Sequence, residues 1–186
     1  MTAAGSLSWL DDEQADALPL RIGVIADTHI TSPDGRRTIP PVVLEAFRDV
    51  SCILHAGDAS CRAVLDKLKR FAPIYAVCGN VDDADLTYRL PTARLLHFGS
   101  ISIGLTHGHI GEARTTPSRA LRRFRGAPGL RAVVFGHSHE PYNCSQEGVL
   151  LFNPGSPTER RRQPRPSFGL LTIAGEDVSG EIVYLS

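Results

Sequence analysis

What most limits the fold of this chain is a recurring pairing, a short apolar run that ends in a small polar cluster. It recurs at Asp27-Thr28-His29, Gly57-Asp58, Gly79-Asn80, His107-Gly108-His109 and His137-Ser138-His139. Brief apolar runs bounded by turn residues read as buried strands. In an α/β layer the loops leaving the carboxyl ends of strands share one rim, so clusters distant in sequence can meet there in a single polar site.

The segments between the clusters agree with that reading. Arg21 to Ala26, Cys52 to His55 and Pro73 to Cys78 are strand-like, separated by amphipathic stretches over Pro40 to Val50 and Arg62 to Phe71. This is a β-α-β-α-β series, the right-handed parallel unit. The second half changes character. Ala93 to Phe98 and Ser100 to Thr106 read as adjacent strands joined at Gly99, Ser118 to Phe124 as a helix and Leu130 to Phe135 as another buried strand. Val149 to Phe152, Phe168 to Ile173 and Glu181 to Leu185 then follow as strands separated by turns, and a second sheet is implied. Periodicity by itself predicts an α/β domain with a strand-rich carboxyl end.

The clusters carry the ligand types of a metal site. Aspartate offers a hard anionic oxygen, asparagine a neutral carbonyl oxygen and histidine an imidazole nitrogen, a set suited to manganese, iron, zinc and related ions. Seven candidates, Asp27, His29, Asp58, Asn80, His107, His137 and His139, are too many for one tetrahedral ion and fit two ions that share a carboxylate. Two divalent cations about 4 Å apart repel by roughly 20 kcal/mol at an effective dielectric near 20, so an anion must lie between them. Asp58 is the candidate bridge.

In this order and spacing the motifs resemble the calcineurin-like metallophosphoesterase superfamily, whose pattern runs D-x-H, G-D, G-N, H near glycine, and G-H-x-H. Here it stands as Asp27-Thr28-His29, Gly57-Asp58, Gly79-Asn80, Thr106-His107-Gly108-His109 and Gly136-His137-Ser138-His139, continuing to Asn153-Pro154-Gly155-Ser156. The short spacers are similar to the small phosphodiesterase branch that includes a retromer subunit. The resemblance implies a four-layer α-β-β-α sandwich of two mixed β-sheets flanked by helices. It also implies that Asp27, His29, Asp58 and His139 hold one ion while Asp58, Asn80, His107 and His137 hold the other. Manganese is the expected metal, with iron, zinc or nickel as alternatives.

The function expected on that basis is hydrolysis of a phosphate diester through a hydroxide bridging two ions. Larger relatives place histidine directly after the asparagine, but this chain has Val81, which cannot protonate a leaving group. Catalysis must then use His109, a metal-bound water or the substrate's own good leaving group; Asn80 and His109 are the expected catalytic residues and substrate contacts, with Arg162 of the Pro157 to Pro166 loop as a further contact. A bland alternative stands beside each: His109 could merely orient a ligand, His55 and His97 read as structural, Asp82 and Asp83 as caps or solvated charges, and the arginine-rich loops as solvated surface. Two other functions stay open. One is a protein-binding scaffold of the retromer-subunit kind, and the other is a nuclease, which the basic loops favour and a formal net charge of zero does not.

With 186 residues and 42% apolar content, residues 21 to 186 suffice for one domain, preceded by an arm over residues 1 to 20. That arm carries Asp11, Asp12, Glu13 and Asp16 rather than a basic segment followed by an apolar one, and no run spans a bilayer. Cys52, Cys61, Cys78 and Cys144 are scattered without a C-x-x-C pair, as reduced thiols would be. A cytoplasmic enzyme acting on a small phosphodiester, able to form a homo-oligomer through sheet edges, is the resulting expectation.

Overall fold

The structure, a computed structural model, describes residues 19–31 and 37–186. The greater part of the expected amino-terminal arm lies outside the described residues. Two five-stranded sheets form the centre. The first holds β1 (Leu20–Ile25), β2 (Cys52–His55), β3 (Ile74–Ala76), β9 (Ser167–Ala174) and β10 (Asp177–Tyr184), in the order β10-β9-β1-β2-β3. The second holds β4 (Ala93–Phe98), β5 (Ile101–Thr106), β6 (Leu130–Val134), β7 (Tyr142–Gln146) and β8 (Val149–Asn153), in the order β4-β5-β6-β8-β7. Both are mixed. β1, β2 and β3 run parallel in one and β5, β6 and β8 in the other, with antiparallel strands outside them.

Side-chain alternation explains why these strands read as nearly unbroken apolar runs. Along β1 and β2, Ile22, Val24, Cys52 and Leu54 face the other sheet, where Ile103, Leu105, Ala132, Val134 and Phe152 meet them. The intervening Ile25 and Ile53 pack outward against Val43 and Phe47 of the α1 region (helix Pro41–Ala46) and Val64 and Leu68 of α2 (Arg62–Leu68). The second sheet is covered on its far side by α4 (Thr116–Phe124), whose Ala120, Leu121 and Phe124 rest on Val133, Phe135 and Leu151. Strands covered on both faces have no solvent side to mark with polar residues. The outcome is the expected α-β-β-α sandwich.

Two elements have no counterpart in the sequence reading. Helix α3 (Ala84–Arg89) is one and a half turns long, started by Asp83, whose carboxylate accepts from the Leu86 amide at 2.8 Å. Six residues are too few for a periodic stripe to show. Strand β7 is a largely exposed edge, and its hairpin to β8 turns through Glu147 and Gly148 at φ 53° and 76°. Such a turn is usually announced by Asn-Gly or Asp-Gly, and here it is not. Helix boundaries also differ: α1 and α2 stop short of Val50 and Phe71, while α4 begins two residues before Ser118, because the Thr115 hydroxyl caps it. Among the described residues no helix is long and apolar enough to cross a membrane.

Candidate metal centre

Each expected ligand leaves the carboxyl end of a parallel strand: Asp27 and His29 follow β1, Asp58 follows β2, Asn80 follows β3, His107 and His109 follow β5, and His137 and His139 follow β6. Backbone hydrogen bonds lash these loops together. The Asp27 amide donates to the Gly57 carbonyl at 3.0 Å, that of His29 to Asp58 at 3.1 Å, and that of Gly136 to His107 at 3.2 Å. Those bonds tie loops of the same sheet; the two sheets meet at one rim through the His137 amide, which donates to Asp27 Oδ1 at 3.1 Å, and through His107 Nδ1, 2.8 Å from the Ala56 carbonyl.

Strand alternation would put Asp27 and His29, one residue apart, on the same side, but that is not how they converge. Among the described residues, eight non-glycine residues have positive φ, and five of them are Asp27 (54°), His29 (46°), Asp58 (56°), His137 (71°) and His139 (58°). Left-handed backbone is costly for such side chains and persists where the surroundings over-determine it, commonly at functional sites. These turns, not strand pleating, aim the donors inward. Close approach of the loops also requires small residues: a β-carbon on Gly79 would overlap the Asp58 carboxylate, and one on Gly136 would stand 2.9 Å from Asp27 Oδ2.

All seven donors gather. Asp58 Oδ2 lies 3.7 Å from His29 Nε2 and 3.2 Å from His107 Nε2, between the two groups. On one side His29 and His139 bring their Nε2 atoms to 3.0 Å with rings stacked, and His139 Nε2 is 3.7 Å from Asp27 Oδ1. On the other, Asn80 Oδ1 lies 3.1 Å from His107 Nε2 and 3.0 Å from His137 Nδ1. Two overlapping triads, Asp27-His29-His139 and Asp27-Asp58-His107, each have donor atoms within 4.8 Å of one another.

Orientation of the rings comes from backbone carbonyls. His107 donates from Nδ1 to the Ala56 carbonyl at 2.8 Å, and His139 donates from Nδ1 to the Glu159 carbonyl. A carbonyl can only accept, so Nδ1 carries a proton in both rings; this leaves His139 Nε2 a lone pair facing the site, while His107 Nε2 points at Asp58 Oδ2 at 3.2 Å. Electrostatics tell the same story. Burial pushes the Asp27 carboxyl up to about 7, against the opposing pull of His107. Burial also pushes Asp58 upward, but the His107 hydrogen bond and charge and the Val81 amide outweigh it and hold it well below the usual carboxylate range. His137 and His139 are lowered to about 4, first by burial, and His29 is lowered for the same reason, so these imidazoles are neutral at pH 7. Burial opposes a charge on His107 too, yet its hydrogen bond to Asp58 and the nearby carboxylates raise it overall.

Does this set fit a metal? Asp27 Oδ2 is buried and has no hydrogen-bond partner, an arrangement that costs free energy unless a cation answers it. Neutral imidazoles, hard oxygens and an orphaned carboxylate oxygen together fit a divalent ion.

The remaining expected residues fall out unevenly. His109 adjoins the cluster, its ring 5.2 Å from that of His107 and 6.1 Å from that of His137. Arg161 and Arg162 are both exposed, and it is the charge of Arg161 that reaches Asp27, His29 and His139. A run of arginines does not reveal which member lies nearest the site. Arg119 on α4 donates to the Gly108 carbonyl at 2.7 Å and the Ala113 carbonyl at 3.0 Å, buttressing the His107-Gly108-His109 loop. His55 is fully buried behind the site with Nε2 3.4 Å from the Thr28 hydroxyl, and His97 pairs with Ser102 away from it. Ser156, from the Asn153-Pro154-Gly155-Ser156 turn, donates to the Asp27 carbonyl at 2.8 Å.

Comparison with known proteins agrees with this geometry. Residues 20–176 match the Calcineurin-like phosphoesterase superfamily domain. A probable metallophosphoesterase of Methanothermobacter thermautotrophicus is 40% identical over 162 residues, spanning 87% of this chain and 91% of that protein. A phosphodiesterase of Methanocaldococcus jannaschii is 26% identical over 151 residues, spanning 73% of this chain and 83% of that one. Among solved structures, Vps29 of Chaetomium thermophilum superposes with a TM-score of 0.72 at 25% identity, covering 88% of this chain and 97% of the other. With the motif order, the sandwich and the gathered donors all in accord, this chain belongs to the calcineurin-like phosphoesterase superfamily.

Proposed function

We propose that this protein is a dinuclear metal-dependent phosphodiesterase that hydrolyses a small phosphate diester in the cytoplasm. The observation that carries the proposal is the position of Asp58 Oδ2, 3.7 Å from His29 Nε2 and 3.2 Å from His107 Nε2, with further donors on either side. Asp27, His29, Asp58 and His139 would hold one ion and Asp58, Asn80, His107 and His137 the other, manganese being the favoured metal. Such ions would activate water at neutral pH and neutralise charge on the phosphoryl oxygens.

The chain's own residues perform the rest. Asn80 and His137 stand at the open side of the cluster, where an anionic ester can approach. His109, half-buried beside His107, is placed to hydrogen-bond a phosphoryl oxygen, and its pKa is lowered by burial and by His107, so it acts as a neutral donor. Val81 offers no proton to the departing alcohol, which favours diesters with good leaving groups over phosphoproteins. Arg161, next to Arg162, adds positive charge near the entrance.

The test is ion analysis joined to turnover of bis(p-nitrophenyl) phosphate with added manganese. Two ions bound per chain and His107→Ala lowering turnover at least about 100-fold are expected. A second reading, a binding scaffold, is favoured by the likeness to Vps29 and by Val81, whose apolar side chain is exposed beside Asn80. Ion binding without hydrolysis of any mono- or diester would select it.

A further inference from the structure

Asp82 does more than cap or meet solvent. Its Oδ1 accepts from the Ser60 amide at 2.7 Å and its Oδ2 from the Gly79 amide at 2.7 Å. Ser60 lies two residues past Asp58, and Gly79 directly precedes Asn80. One carboxylate thus spans the loop after β2 and the loop after β3, the two loops that present Asp58 and Asn80. Neighbouring bonds tighten the same seam: the Val81 amide donates to Asp58 Oδ1 at 3.0 Å, and the Asp83 amide to the Ser60 carbonyl at 3.3 Å. Ser60 is itself held at φ 72°, a conformation that needs an external hold.

We propose that Asp82 is a positioning residue that sets the separation of Asp58 from Asn80 and thereby the affinity of one ion only, the one held on the Asn80 side. The inference rests on the two-ion reading above. Asp27, His29 and His139 are joined through Gly57, Asp58, Ser156 and Glu159 and make no use of Asp82. Their ion should be indifferent to it. Both bonds to Asp82 come from amide N–H donors, so only a group with two acceptor atoms satisfies both. Asparagine keeps the shape yet turns an amide N–H against one of these donors, opening the seam without leaving a hole.

The experiment is manganese titration of the full chain by calorimetry and electron paramagnetic resonance, comparing the native protein with Asp82→Asn and Asp83→Ala. The second variant removes the α3 cap at 2.8 Å but leaves the seam intact, and so controls for loss of local helix. The expected result is that Asp82→Asn weakens one of two ions about 10- to 100-fold and diminishes the spectrum of the coupled pair, while the other ion holds and the melting temperature falls no further than in Asp83→Ala. Asp83→Ala should lower the melting temperature with both affinities kept. Equal affinities in Asp82→Asn and native protein, equal weakening of both ions, or the same selective loss in Asp83→Ala would overturn the inference. A native chain that takes up fewer than two ions would instead defeat the two-ion reading.

Discussion

The two halves of the metal centre are built differently. On one side Asp27 and His139 are sealed, at 0% and 1% exposure, and His29 is stacked on His139. On the other only His107 is fully buried, while Asn80 is exposed and His137 and His109 are partly so. The sealed half is anchored from behind by Ser156 and the Glu159 carbonyl, and the open half is held by the Asp82 seam and by Arg119. Burial slows exchange and strengthens charge interactions, whereas openness admits a substrate. On the proposed two-ion reading, the division would make one ion a fixture and turn the other toward the ester, with Asp58 common to both.

The change expected to break the division altogether is Asp58→Ala, which removes the shared carboxylate. Equilibrium dialysis should show neither ion retained, and diester turnover should fall about 10³-fold, near 4 kcal/mol of transition-state stabilisation. Replacing His139 or His137 with alanine should separate the halves. Each variant should keep one ion, slow to exchange in His137→Ala and fast in His139→Ala; identical exchange rates in the two would erase the distinction. Val81→His places a proton donor on the open side only. Turnover of esters with poor leaving groups should rise by as much as about 100-fold, with aryl diesters little changed.

Smaller effects sharpen the picture. In the metal-free protein Asp27 keeps its proton up to about 7, above the usual 3.8, so the folded chain binds more protons than the unfolded one between those values. The contribution of Asp27 to metal-free stability is therefore present at low pH and lost as pH rises through about 7. A cation reverses that preference, so affinity at the sealed half should fall about tenfold per pH unit below 7 and level off above it, as calorimetry at several pH values would show. Ser156→Ala, which unfastens the Asp27 carbonyl, should cost about 1–2 kcal/mol in thermal unfolding and leave the ion of the open half in place. An effect confined to the open half would run against the comparison.

Much of this was legible in the chain itself. The five clusters, their order and their seat after apolar runs pointed to one rim, and the rim exists. Helix α3 and strand β7 were not legible, because one lacks the length for a stripe and the other is an exposed edge with no apolar alternation. Asp82 and Asp83 shared one reading, as caps or solvated charges, and only Asp83 caps a helix; their neighbours in space, not their type, separate them. The carbonyls of Ala56 and Glu159, which select the tautomers of His107 and His139, have no signature, since every residue owns a carbonyl.

Residue order settled which donors the protein possesses, their hardness, and the strand ends that carry them, because donor chemistry and strand pattern are local properties. Which donors stand close enough to share an ion was decided by the packing of the two sheets and by left-handed turns at Asp27, His29, Asp58, His137 and His139. Those are distances across loops as far apart in the chain as His29 and His139, and a distance of that kind comes into being only when the two layers close on a common core.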